Sequence, residues 1–168
     1  MRRDLHWQDL ANLAGTLAGA YEPADIYRAI EHLSGDVIGH RLFTVMRADP
    51  GRGEVERVYT TMPAVYPVGG RKQKAQTAWA DHVLGEGRVF RACQPKDIRV
   101  AFEDSDTIIG LGLGSILNVP VVFKQRCVGT MNLLHEADWY REEDEAIGRL
   151  LAMFLLPVLL DSDKVRDA

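Results

Sequence analysis

Ser115-Ile-Leu-Asn-Val-Pro-Val-Val-Phe123, then Lys124-Gln125, then Arg126-Cys-Val-Gly-Thr-Met-Asn-Leu-Leu-His135 is the stretch that decides the fold. Two β-rich runs flank two polar residues, the pattern of a hairpin closed by a tight turn. Both runs are apolar at odd and even positions alike. A strand facing water on one side would alternate, so this pair belongs to the middle of a sheet covered on both faces.

Working backwards, Val89-Phe90-Arg91-Ala92 reads as a short strand, and Leu42–Met46 and Glu54–Thr61 as a hairpin turning at Asp49–Gly53. Strict alternation groups Val55, Arg57 and Tyr59 on one face of the second of these. Helical spacing predicts one helix over Leu10, Leu13, Ala14, Leu17 and Ala18. A second starts at Pro23 and stops near Gly39, with Ile26, Ala29, Ile30, Leu33 and Val37 on one stripe. A third is expected from about Lys74 to Leu84, with Ala75, Ala78, Trp79, His82 and Val83 sharing a face. Cys93–Gly114 reads as a long irregular segment in which Asp106 opens a short helix, and a loop of that length inside a compact domain points to function. A last helix opens at Arg141-Glu142-Glu143-Asp144 and runs through Ile147, Leu150, Leu151, Phe154 and Leu155.

The chain has 168 residues, 46% hydrophobic and 26% charged, and suits one domain with its own core. That domain is expected over 1–168, with the core at about 22–160, an N-terminal helix in 1–20 and a tail at 161–168. A formal charge of −4 leaves no electrostatic footprint for nucleic acid. The charged start and an apolar Leu150–Leu160 run too short to span a bilayer point to a cytoplasmic location with no membrane partner. Cys93 and Cys127 are far apart, and the five histidines are scattered, so neither a disulfide framework nor a metal site is expected.

With these residues in hand, the chain resembles the GAF domain family. The carrying features are Ser115, Leu117, Val119-Pro120, the turn, Val128-Gly129, Met131 and Leu133, followed by the acidic helix start at Glu142-Glu143-Asp144. Gln125 stands where the family often has glycine, and Arg141 where it often has threonine or serine. The resemblance implies an α+β, profilin-like fold: a central antiparallel sheet with N- and C-terminal helices on one face and loops or short helices on the other. It also implies a ligand pocket under the variable loops, and frequent dimerisation through the terminal helices. Family ligands include cyclic nucleotides, bilins and haem. No cysteine sits beside a histidine for bilin attachment here, and which cofactor is bound, if any, is left unknown.

The reading is therefore a non-catalytic, small-molecule-sensing regulatory domain. It is expected to act as a homodimer and, with no effector domain following, to signal in trans. Candidate ligand-binding residues are Tyr59, Trp79, His82, Arg91, Cys93, Asn118 and Asn132. A pocket wants apolar walls with a few placed polar groups, and asparagines inside apolar strands are the informative oddity. A two-residue turn at Lys124-Gln125 sets Asn118 opposite Met131 and Asn132 opposite Leu117. Unless a bulge intervenes, the amides face opposite ways and only one lines a given pocket. Two alternatives stand: a dimerisation module with a collapsed pocket, and a thiol reductase related to free methionine sulfoxide reductase. For the reductase, two unpaired cysteines supply poor support.

Overall fold

The computed structural model describes residues 1–49, 51–73 and 77–164, with side chains to residue 161. Two helices, α1 (Trp7–Gly19) and α2 (Pro23–Val37), precede strands β1 (Leu42–Asp49), β2 (Glu54–Thr60) and β3 (Arg71–Gln73). Helix α3 (Ala78–Ala80) runs into a π-helical turn at Asp81–Gly85. Strand β4 (Phe90–Ala92), helices α4 (Pro95–Ala101) and α5 (Ser105–Gly110), and strands β5 (Ser115–Phe123) and β6 (Arg126–His135) follow. Helix α6 (Glu142–Ala152), a 3-10 turn (Met153–Leu155) and α7 (Leu156–Lys164) close the chain.

The sheet has six strands in the order β3-β2-β1-β6-β5-β4, and every pairing is antiparallel. The quoted hairpin lies inside it, as its two-sided apolarity requires. Its turn is two residues long, and both Lys124 (φ 48°) and Gln125 (φ 62°) take positive φ, as a primed turn demands. Beside β5, β4 pairs only as far as Asn118, so Pro120 stands beyond the end of that ladder, where its missing N–H is tolerated.

Alternate strand residues feed two cores. Phe43, Val45, Leu117, Val119, Met131 and Leu133 pack with Ile30 of α2, Leu151 of α6, and Val158 and Leu159 of α7. Leu42, Ile116 and Leu134 point the other way and pack with Ala92, Ile98 of α4 and Ile108 of α5. The terminal helices thus cover one face and the short helices the other. Gly129 permits the first packing: a Cβ there would stand 2.8 Å from Leu159 Cδ1 and collide with the Met46 carbonyl oxygen.

Several expectations need correction. Residues 93–114 are mostly helical: α4 starts on a capping box in which Asp97 accepts from the Gln94 N–H, and Pro95 takes an early helical position. The expected third helix is described only from Ala78, with Thr77 Oγ1 accepting from Ala80 N (3.1 Å); the part over 74–76, including Ala75, lies outside the described residues. Arg71–Gln73, for which the sequence suggested no strand, is an edge strand on β2. The last helix breaks at Met153–Leu155, because Pro157 has no N–H and its ring opposes the carbonyl four residues back. It resumes as α7 through Lys164, so the expected tail at 161–168 is helical as far as Lys164.

Candidate functional site

Two bulges set the faces of the site. Between β5 and β6, Val122 pairs with Cys127 but Val121 with Gly129, which leaves Val128 as an extra residue. The register moves by one, and Asn118 faces Asn132 directly. The expectation that these amides point to opposite faces is thereby corrected. Between β1 and β2, Val45 pairs with Tyr59 and Met46 with Arg57, which leaves Val58 as the extra residue. Arg57 and Tyr59, grouped together by alternation, therefore lie on opposite faces.

On the face under the short helices is a cavity of about 70 Å³, lined by fourteen residues from β1, β2, β5, β6 and the covering segments. Its apolar walls include Leu42, Ile116 and Leu134 below and Phe102 and Ile108 above. A chain of buried polar groups runs along the floor. The Trp79 indole Nε1–H donates to Asn118 Oδ1 (2.8 Å), Asn118 Nδ2 donates to Asn132 Oδ1 (2.8 Å), and Asn132 Nδ2 donates to Thr44 Oγ1 (3.2 Å). Indole can only donate, so it fixes which way each amide is turned along the chain.

The rim is charged. Lys72 Nζ pairs with Asp104 Oδ2 at 2.9 Å, and the Tyr66 hydroxyl donates to the same oxygen at 3.1 Å. Burial works against the Asp104 charge, but the hydrogen bond and charge of Lys72 outweigh it and hold the carboxyl below its ordinary pKa. Arg57 is buried, 7% exposed, with its guanidinium 4.9 Å over the Tyr66 ring. One Arg57 nitrogen, Nη1, donates to the Pro67 carbonyl (3.2 Å), while Nε has no hydrogen-bond partner among the described residues. Burial pushes the Arg57 pKa down. Among the described residues no cysteine or histidine lines this cavity.

Of the seven candidates, the structure brings Trp79, Asn118 and Asn132 together. His82 and Arg91 line, with Trp79 again, a separate outer groove between α3 and α4. There the His82 Nε2 is 2.9 Å from the Val89 carbonyl oxygen, and Arg91 Nε donates to Glu145 (2.8 Å). Tyr59 sits on the opposite face of the sheet, where its hydroxyl donates to Glu31 of α2 and its ring packs on Tyr27 and Phe43. The reason is the Val58 bulge. Cys93 lies past the end of β4, with its thiol directed to the Tyr140 carbonyl (3.6 Å), and it does not line the cavity. Cys127 is buried, which pushes its thiol up to about 11. Sequence reasoning missed Thr44, Arg57, Tyr66, Lys72 and Asp104. The one available signal was Arg57 itself, an arginine on the same alternating face as Val55 and Tyr59.

The GAF domain family model matches residues 20–155. No curated relative matches the chain. Among solved structures, it is similar to the GAF domain of a phosphoenolpyruvate-protein phosphotransferase from Coxiella burnetii, at 13% identity, TM-score 0.77, covering 96% of each chain. The corresponding Acinetobacter domain shows 15% identity, TM-score 0.74 and 94% coverage of each chain. The GAF domain of a two-component sensor histidine kinase from Bacillus halodurans shows 16% identity and TM-score 0.67, over 85% of this chain and 99% of that one. At such identities these likenesses speak to fold. With the family model spanning most of the sequence and the sheet order matching its expected architecture, the chain belongs to the GAF domain family.

Proposed function

We propose that this protein is a non-catalytic sensor whose ligand sits in the cavity beneath α4 and α5. The observation that carries the proposal is the floor itself. Four polar side chains are buried beside an apolar hollow, an arrangement that favours binding and costs stability unless each group is paired. GAF domains are commonly regulatory sensors, which agrees with this use of the space. The ion pair Lys72–Asp104 ties the edge strand β3 to the covering segment, so a ligand that enters there shifts the position of that cover. Among the described residues the lining offers no thiol or imidazole, and its carboxylate, Asp104, is engaged by Lys72, which favours binding over chemistry.

Thermal-shift screening of the protein against nucleotides and metabolites tests the reading. A hit is expected to raise the melting temperature and to change the fluorescence of Trp79, whose indole belongs to the floor. A screen without hits, together with unchanged melting of a Trp79→Phe variant in every compound, would refute it.

The output is proposed to pass through a homodimer of the terminal helices, read by a partner in trans. In support, Trp7 of α1, Leu150 of α6 and Met153 after it are exposed large apolar side chains at the helix-covered end of the fold. Light scattering at micromolar concentration is expected to give twice the monomer mass, and Leu150→Glu with Met153→Glu to halve it. A clean monomer for the unaltered protein would remove this part. No helix among the described residues is long and apolar enough to cross a membrane.

A further inference from the structure

We infer that the cavity takes a small organic carboxylate, with its charge against Arg57 and its short apolar tail between Leu42, Ile108, Ile116 and Leu134. This rests on the sensor reading above and names the ligand class for the same site.

Three observations point the same way. The first is the direction of the hydrogen-bond chain. Because the Trp79 indole can only donate, Asn118 must present its oxygen to it, and Asn132 must in turn present its oxygen to Asn118. Each amide oxygen thus accepts one hydrogen bond, and each amide spends one N–H and retains a second. Thr44 accepts from Asn132, which leaves its hydroxyl hydrogen available. The floor therefore keeps donors to offer an anion, beside the second lone pairs of its oxygens.

The second is Arg57. It is 7% exposed and lines the cavity, and no carboxylate lies within ion-pair distance of it among the described residues. A buried cation is normally paired, and leaving one without an anion is costly. The backbone around Arg57 is fixed in place: its N–H donates to Gly70 O (2.9 Å) and its carbonyl accepts from Gly69 N (2.8 Å). Gly70 leaves the room the guanidinium needs, since a Cβ there would stand 2.8 Å from Nη1. Among the described residues the charges of the lining are Arg57, Lys72 and Asp104; Asp104 is in contact with Lys72, and its charge reaches Arg57 only through space. The three sum to one positive charge.

The third is size. A cavity of about 70 Å³ has room for about five water-sized groups. That fits a carboxylate with two to four carbons behind it and falls well short of the volume of a nucleotide or tetrapyrrole. The walls beyond the donors are aliphatic and aromatic, which suits a tail without further polar groups.

The test compares butanoate with butanamide, which share shape and differ in charge, by isothermal titration and by thermal shift of the whole protein. Butanoate is expected to bind and to raise the melting temperature, and butanamide to do neither. Arg57→Gln is expected to weaken butanoate about tenfold or more, and Arg57→Lys to recover part of the loss. Circular dichroism confirms that each variant is folded. The comparison between the two ligands needs no variant and decides the matter should Arg57→Gln unfold. Equal binding of the amide would overturn the anionic class and leave the sensor reading standing. Silence from butanoate would also overturn it. Whether the sensor reading falls as well is then read from the broad screen, which contains neutral compounds.

Discussion

Replacing Asn118 and Asn132 by leucine, singly and together, gives the sharpest test of the polar floor. Asn118→Leu leaves the Trp79 N–H without its acceptor and Asn132 Oδ1 without its donor. Asn132→Leu leaves Asn118 Nδ2 and Thr44 Oγ1 without partners. All four residues are buried, with at most 6% exposure. An orphaned buried polar group costs about 1–3 kcal/mol, so each single change, which orphans two, is expected to destabilise by about 2–6 kcal/mol. The double variant removes both amides and orphans only the two ends of the chain, Trp79 and Thr44. Its cost is therefore about that of one single variant, and the coupling energy has the same magnitude, about 2–6 kcal/mol. Leucine has the same branching and number of side-chain heavy atoms as asparagine, and the adjoining cavity gives room for its larger methyl groups. Urea denaturation followed by circular dichroism measures all three variants against the parent protein. Additive single effects, agreeing within about 0.5 kcal/mol, would show that the four groups do not act as a chain. Single effects below about 1 kcal/mol would show that water in the cavity replaces the lost partners.

Gly129→Ala must push Leu159 aside and crowd the Met46 carbonyl, so it is expected to lower stability by about 2–3 kcal/mol, read from the urea midpoint. His135 stacks on Trp139 at 3.5 Å and accepts the Glu136 N–H on Nδ1 (2.8 Å), an arrangement that requires the neutral ring. Burial first, and Arg41 second, lower its pKa from 6.5 to about 4. The unfolded chain thus takes up a proton that the folded one refuses. Stability from this group is complete above about pH 6.5 and falls toward pH 4, and His135→Gln should flatten that slope in urea titrations at pH 7.5 and 5. Cys127 is buried with its thiol pushed up to about 11, whereas Cys93 is half-buried; a disulfide reagent at pH 8 should titrate at most one thiol in the native protein and two in urea, and two fast thiols in the native protein would contradict the packing of β6.

Local pattern made the architecture readable. The hairpin at 115–135, the start of α2 at Pro23 and the acidic opening of α6 all follow from side-chain chemistry within a few residues of each position. The site was legible only in part. Trp79, Asn118 and Asn132 stand out as residue types that a covered sheet must account for, and they do meet. Tyr59, His82, Arg91 and Cys93 carry suitable chemistry but find partners elsewhere. The covering helix α4 escaped notice because it is seven residues long, too short for a periodic apolar stripe, whereas α5 was expected as a short helix at Asp106 and begins one residue earlier, at Ser105.

What the residues determined by themselves was the long strands and helices and the fact that one hairpin is covered on both faces, since both depend on short-range apolar spacing. What tertiary structure decided was which side chains share the cavity. One extra residue, Val128, turned Asn118 and Asn132 toward each other, and another, Val58, parted Arg57 from Tyr59. A bulge reverses the facing of every residue beyond it, and its position is set by how neighbouring strands and helices pack, as where Leu159 presses on Gly129.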